Sequence, residues 1–180
     1  IERGHGVVLL GPPGVGKTRL ARELVADVEQ RGVRTEWIAA THAASSIPLG
    51  AVAHLVPGET LGRARDVALR WIVTALEHAG DRGPLVLGVD DAHLLDDGSA
   101  ALVHQLISTG VATGVVTVRQ GVPVPDAVTS LWKDGPASLI ALQPMSRTEV
   151  EVLTSTVLSG PPDGALVERL WQSTGGNALY

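Results

Sequence analysis

Short apolar runs alternate with apolar stripes along this chain, and together they predict a layered α/β fold. Gly6-Val7-Val8-Leu9-Leu10 is a continuous run of the kind that forms a strand buried on both faces. Thr18 to about Gln30 follows as a helix, with Leu20, Leu24 and Val28 at four-residue spacing as its expected buried face and Gly32 ending it. Arg34–Ala40 predicts a second strand with Trp37 and Ile38 inside it. Thr41–Pro57 is rich in Ala and Ser and reads as a loop, with a short helix at Gly50–Leu55. Thr60 to about Ala79 carries an apolar stripe that includes Leu61, Ala64, Ala68, Trp71 and Ile72, as a helix would.

Gly80-Asp81-Arg82-Gly83-Pro84 breaks that pattern, and Leu85–Val89 is again a continuous apolar run. Asp96–Ser99 supplies helix-start residues ahead of Ala100–Ile107. Gly110–Gly114 reads as a turn, Val115–Val118 as a short buried strand ending at Arg119, and Val122–Val128 as the opening of a short helix that runs to Trp132. Ser138–Leu142 is the fifth strand. Ser146-Arg147-Thr148-Glu149 has the spacing of a capping box and opens a helix to about Ser159, with Val150, Leu153 and Val157 inside. A last helix runs from Asp163 or Gly164 to about Ser173. Five strands alternating with helices predict a mainly parallel sheet covered on both faces. The final two helices have no strand between them and read as the start of a small helical lid. The division expected is a core over residues 1–143 and a partial lid over 144–180.

Candidate chemistry begins between the first strand and the first helix. Gly11-Pro12-Pro13-Gly14-Val15-Gly16-Lys17-Thr18 fits G-x-x-x-x-G-K-[ST], the phosphate-binding loop. Glycines let successive backbone N–H groups point into one concavity, and the helix N-terminus adds partial positive charge. Lys17 is placed to reach the β- and γ-phosphates, the Thr18 hydroxyl to ligate Mg²⁺, and Arg19 to continue the same surface. The prolines stiffen the loop by fixing φ. The second motif is Leu85-Val86-Leu87-Gly88-Val89-Asp90-Asp91, an apolar strand ending in two carboxylates. At the C-terminal end of a parallel strand they face the ligand crevice. Asp90 suits Mg²⁺, which takes oxygen ligands, and Asp91 suits the orientation or deprotonation of an attacking water. The alternative for both acids is capping of the next helix, a job for which Asp96 and Asp97 lie nearer.

Composition narrows the classes. The 180 residues are 44% hydrophobic, enough for one α/β domain with a substantial core, and with no Phe that core is aliphatic. The four Trp read as core rather than as stacking platforms. A formal charge of −5 argues against direct DNA binding by this chain. The absence of Cys excludes disulfides and Cys-based metal sites, and the His residues lack close metal-ligand spacing. His93, after the acid pair, is placed to touch a phosphate or a partner, and reads more readily as a structural loop residue. There is no apolar run long enough to span a bilayer, so a cytoplasmic location without a membrane partner is expected. The first residue is Ile, and the sequence reads as a piece of a longer protein. The Asn-Lys-x-Asp guanine signature is absent, and Trp132-Lys133-Asp134 does not supply it.

GPPGVGKT, LVLGVDDAH and the later TVR and GGNALY stretches together resemble the nucleotide-binding domain of signal-transduction ATPases with numerous domains. More narrowly they resemble the ATPase region of large LuxR-type, MalT-like transcriptional regulators, over nearly the whole chain. That resemblance implies a P-loop NTPase core with ATP/ADP and Mg²⁺ as cofactors. It implies slow hydrolysis acting as a conformational switch, or else a nucleotide-holding module with negligible turnover. It also implies partner domains in the parent chain, a helical repeat region and a helix-turn-helix, and is compatible with self-association. By position, Lys17 and Thr18 match the Walker A residues and Asp90 and Asp91 the Walker B pair. Arg119 matches a sensor of the γ-phosphate, and reads equally as a solvated strand-end arginine. Gly175-Gly176-Asn177-Ala178 resembles a Gly-Asn-Pro signature, with Ala178 where that family has Pro. The Gly-Arg-acidic motif that precedes the family's first strand is missing here.

Overall fold

The computed structural model describes residues 6–55 and 84–179. The chain runs β1 (Gly6–Gly11), α1 (Lys17–Gln30), β2 (Arg34–Ala39), α2 (His42–Ser45), a 3-10 turn (Gly50–Leu55) and β3 (Leu85–Asp90). A second 3-10 turn (Ala92–Leu94) leads to α3 (Asp97–Ser108), β4 (Ala112–Arg119), α4 (Asp126–Lys133), β5 (Ala137–Ala141), α5 (Arg147–Leu158) and α6 (Gly164–Thr174). The five strands form one sheet in the order β2-β3-β4-β1-β5, and every neighbouring pair is parallel. The helix expected over residues 60–79 lies outside the described residues.

Alternation along the buried strands sorts the core into two layers. Leu9, Val86 and Val115 point to one face and pack against Ala21 and Val25 of α1. Val8, Leu87, Val89, Val116 and Val118 point to the other, against Leu102, Val103, Leu106 and Ile107 of α3 and Val128 and Leu131 of α4. Each such side chain, once removed from water, contributes about 1.5–3 kcal/mol, which is what commits the strands to this register.

Four expectations are corrected. The face of α1 that enters the core carries Ala21, Val25 and the half-buried Val28, whereas Leu20 and Leu24 are each 38% exposed. A close helix-on-sheet approach favours the smaller residues, and the leucines sit one position off that line. β4 starts at Ala112, inside the stretch read as a turn. Gly114 is a strand residue there, and the Ile107 side chain occupies the place a Cβ would take. In α5 only Val150 is buried, and Leu153 and Val157 face outward at 48% and 74% exposure. The capping box on that helix is present, with Ser146 and Glu149 exchanging hydrogen bonds. Trp37 and Trp132 pack against the core as expected, but Trp171 is 37% exposed, with its Nε1–H on the Met145 carbonyl.

Asp96 joins two parts of the fold. Its carboxylate accepts from the N–H groups of Gly98 at 3.0 Å and Ser99 at 3.1 Å, and from the Ser99 hydroxyl, capping α3. Oδ1, which takes the two α3 N–H groups, also accepts the Leu49 N–H at 3.0 Å, tying the segment after α2 to that helix. Burial pushes the Asp96 carboxyl up, but the Ser99 hydroxyl and the three N–H groups outweigh it and hold the group below its ordinary 3.8. A depressed carboxyl contributes stability above its unfolded value and loses it as pH falls through the folded value. Asp96→Ala is therefore expected to cost about 1–2 kcal/mol in urea unfolding at pH 7. Its deficit against wild type should shrink below pH 3.8, and equal stability at pH 7 would contradict the assignment.

Candidate nucleotide site

The parallel register lines up the strand ends that carry the candidate residues. Gly11 of β1 sits opposite Arg119 of β4, and Ala39 of β2 opposite Asp90 of β3, all at the C-terminal edge of the sheet. Ligands of open α/β sheets bind outside this edge.

The loop from Gly11 to α1 turns on Gly14 at φ 78° and Gly16 at φ 96°, conformations in which a Cβ is strained. Gly16 is also the N-cap of α1. It offers no side-chain oxygen to the first turn, and that turn carries no acidic residue. The N–H groups that an ordinary cap satisfies are left for an anion. Beneath them Lys17 is only 7% exposed, and its Nζ donates to the carbonyls of Gly11 at 3.0 Å and Pro12 at 2.7 Å. Burial lowers the Lys17 pKa from its ordinary value, with Asp91 and Asp90 opposing and Arg119 adding to the effect. The side chain is thus folded back onto its own loop at the wall of the space in front of it.

That space is a cavity of about 640 Å³. Of the loop residues singled out by sequence, Pro13, Gly14, Gly16, Lys17, Thr18 and Arg19 line it. Gly11, Pro12 and Val15 do not. Gly11 and Pro12 face Lys17 through their carbonyls, and Val15 packs near Gly11. From the strand ends, Asp91 and Arg119 also line the cavity, while Asp90 does not and joins it through the Thr18 hydroxyl.

Asp90 Oδ1 accepts the Thr18 hydroxyl at 2.8 Å and the Thr117 hydroxyl at 2.7 Å. Thr117 is fully buried, and its oxygen in turn accepts the Asp91 N–H at 2.8 Å. This holds Asp91 in the left-handed region, at φ 52° and ψ 44°, a conformation that Asp tolerates better than most residues. Backbone held in a sparsely populated region is a common feature of functional sites. The donors meet the requirements of Mg²⁺, which binds through one or two protein oxygens and leaves other positions to water and phosphate. No cluster of three metal-ligating side chains occurs among the described residues, so an all-protein cage is not available there.

Several contributors were missed or underweighted in the sequence. Thr117 was hidden in an apolar run. Its one signal is that it is the only hydroxyl between Val115 and Val118. Of the two readings of His93 the structural one was favoured, yet the residue lines the cavity with its side chain 8% exposed and Nδ1 3.9 Å from the Asp91 carboxylate. His42, at the start of α2, reaches the same cavity from the end of β2. The C-terminal stretch arrives from the far end of the chain. Asn177 donates from Nδ2 to the Pro13 carbonyl at 3.0 Å, and Ala178 and Leu179 line the mouth. Gly176 holds that stretch through its carbonyl, which accepts the Met145 N–H at 2.8 Å. No helix among the described residues is long and apolar enough to cross a membrane.

Comparison with solved structures shows the fold that this geometry implies. AMPPCP-bound DnaA from Aquifex aeolicus matches at a TM-score of 0.60 and 15% identity, over 92% of this chain and 50% of that one. A Drosophila ORC structure bound to DNA matches at 0.55 and 19%, over 87% and 42%. RuvB from Thermotoga maritima matches at 0.51 and 15%, over 96% and 50%. This chain spans half or less of each of those chains. The α/β P-loop NTPase fold with its five-stranded parallel sheet is common to them. No curated protein matches the sequence. The family model for the AAA ATPase domain matches residues 1–118, well over half of the length. On that match the chain belongs to the AAA ATPase domain family, and that membership implies nucleotide binding.

Proposed function

We propose that this chain binds ATP with Mg²⁺ and hydrolyses it slowly, as the conformational switch of a larger LuxR-type, MalT-like regulator. The observation that carries the reading is the pairing of an uncapped α1 N-terminus with a buried Lys17 at one wall of a cavity. The other wall presents Asp91 and Arg119. The adenine nucleotide is favoured over guanine by the missing guanine signature, and AMPPCP occupies the structurally similar DnaA.

In this reading the free N–H groups of the Gly14–Thr18 turn take the phosphates. Lys17 exchanges its carbonyl acceptors for phosphate oxygens. Thr18 and Asp90 hold the metal, which when bound supplies charge neutralisation between the phosphates. Asp91 takes a proton from the attacking water as its oxygen bonds to the γ-phosphorus. The bond from that phosphorus to the β–γ bridging oxygen breaks, releasing ADP and inorganic phosphate. Arg119 stabilises charge on the transferred group. Residues 1–143 form the nucleotide core and 144–180 part of a helical lid, whose Asn177–Pro13 contact supports coupling between the two. The remaining proposed partners are the parent chain's helical repeat and helix-turn-helix domains, with self-association compatible and a cytoplasmic setting.

A second reading is a module that holds ATP or ADP with negligible turnover. It is favoured by Asp91, whose side chain is 45% exposed and makes no hydrogen bond with another described residue through its carboxylate. Calorimetric titration with both nucleotides, beside a phosphate-release assay, separates the two. Binding with sustained release supports hydrolysis, binding without release supports the holding module, and absence of binding contradicts both.

A further inference from the structure

His42 reaches the cavity from the edge of the sheet farthest from the C-terminal stretch. The strand order puts the end of β2 one strand spacing, about 4.8 Å, beyond the end of β3. Ala178 and Leu179 line the cavity where the C-terminal stretch meets Pro13 and Gly14, after β1 and three strands from β2. Among the described residues between β2 and β3, His42 alone lines the cavity. Its backbone is tied down on both sides. The Ala40 N–H donates to the Asp90 carbonyl at 3.0 Å, the Ser45 hydroxyl to the carbonyl of His42 itself at 2.8 Å, and the Leu49 N–H to the Asp96 carboxylate at 3.0 Å. The residue is exposed, and its ring makes no hydrogen bond with another described residue, which leaves an N–H for a ligand.

We infer that His42 recognises the terminal phosphate, its imidazole donating to a γ-phosphate oxygen and so setting the preference for ATP over ADP. The inference rests on the proposed nucleotide site with its metal on Thr18 and Asp90, and not on turnover. In phosphoryl-transfer sites the metal lies between the β- and γ-phosphates. Thr18 and Asp90 meet at the end of β3, so the γ-phosphate belongs on that side. The rest of the nucleotide then runs back past the Gly14–Thr18 turn toward Leu179. β2 is the next strand outward from β3, and His42 is what the chain after it brings to the cavity. An imidazole carries a donor whether neutral or protonated, so the contact needs no change of protonation. A diphosphate leaves that donor without its acceptor. Because the backbone is already held, only the ring has to be ordered on binding.

Three replacements separate recognition from packing. Leucine removes both ring nitrogens at similar size. Asparagine keeps an N–H near the place of Nδ1, and glutamine keeps one near the place of Nε2. A hydrogen bond to a charged acceptor corresponds to about 10-fold or more in affinity, and competition from water at an exposed ring lowers that. Calorimetric titration with Mg²⁺ and either ADP or a non-hydrolysable ATP analogue reads the effect. His42→Leu should weaken the analogue about 3-fold to 30-fold while ADP affinity stays within about twofold. His42→Asn or His42→Gln should recover most of the loss. An unchanged ratio of analogue to ADP affinity in His42→Leu overturns the inference and leaves the nucleotide site standing. A parallel fall for both ligands also overturns it, since the group touched is then common to ATP and ADP. So does failure of both polar variants to improve on leucine. Binding of neither nucleotide by the wild type removes the site and this inference together.

Discussion

Lys17→Ala is expected to abolish tight nucleotide binding while leaving the fold in place. The two halves of that statement have different physical origins. In the folded chain without nucleotide, the ammonium is buried and donates to the Gly11 and Pro12 carbonyls. Those hydrogen bonds are set against the desolvation that depresses its pKa. Removing group and burden together is expected to change unfolding free energy by about 1 kcal/mol or less, since hydrogen-bond gain and desolvation loss are of similar size. With a triphosphate in the cavity the balance differs. Hydrogen bonds to a charged acceptor contribute about 1.5–3 kcal/mol each, so losing one or two weakens binding by roughly 10-fold to more than 1,000-fold. Titration calorimetry reads the affinity and thermal unfolding reads the fold. Retained affinity in a folded Lys17→Ala chain would place the phosphates elsewhere.

Asp91→Asn is expected to separate binding from chemistry. Asparagine tolerates the left-handed backbone at this position and keeps the N–H that Thr117 accepts, so the strand end should be undisturbed. It cannot take a proton from water. Positioned acid–base groups contribute about 100-fold to 10,000-fold, and phosphate release should fall by that order. ATP affinity should hold or rise slightly, because a negative charge facing the phosphates is removed. The corresponding change at Asp90 would be less informative, since its carboxylate also anchors Thr18 and Thr117. Unchanged release by Asp91→Asn would remove the catalytic role proposed for it and favour a different base or the holding module.

The parts of this site that the sequence made legible are those built from contiguous residues. Strand, glycine loop and helix lie within about two dozen positions, and residue types there follow directly from main-chain geometry. The same holds for Asp90 and Asp91, whose place at the end of an apolar run implies the sheet edge. What stayed hidden depends on neighbours far apart in sequence. Thr117 matters because β3 and β4 pair in a register that sets its hydroxyl between Asp90 and Asp91. His93 matters because a turn folds it back between two strand ends. Asn177 is more than 160 positions from Pro13 and still donates to it. The misread face of α1 has a related cause. Periodicity favoured the larger leucines, but the depth at which a helix seats on a sheet is set by the smaller pair, Ala21 and Val25.

The account turns on where Lys17 goes when a triphosphate arrives. The measurement that tests this most directly is an experimental structure of the chain with Mg²⁺ and a non-hydrolysable ATP analogue. The expected result is that Lys17 Nζ has left the Gly11 and Pro12 carbonyls for phosphate oxygens, under the N–H groups of the Gly14–Thr18 turn, with the metal beside Thr18 and Asp90. Phosphates bound away from that turn, with both carbonyl hydrogen bonds of Lys17 intact, would contradict it.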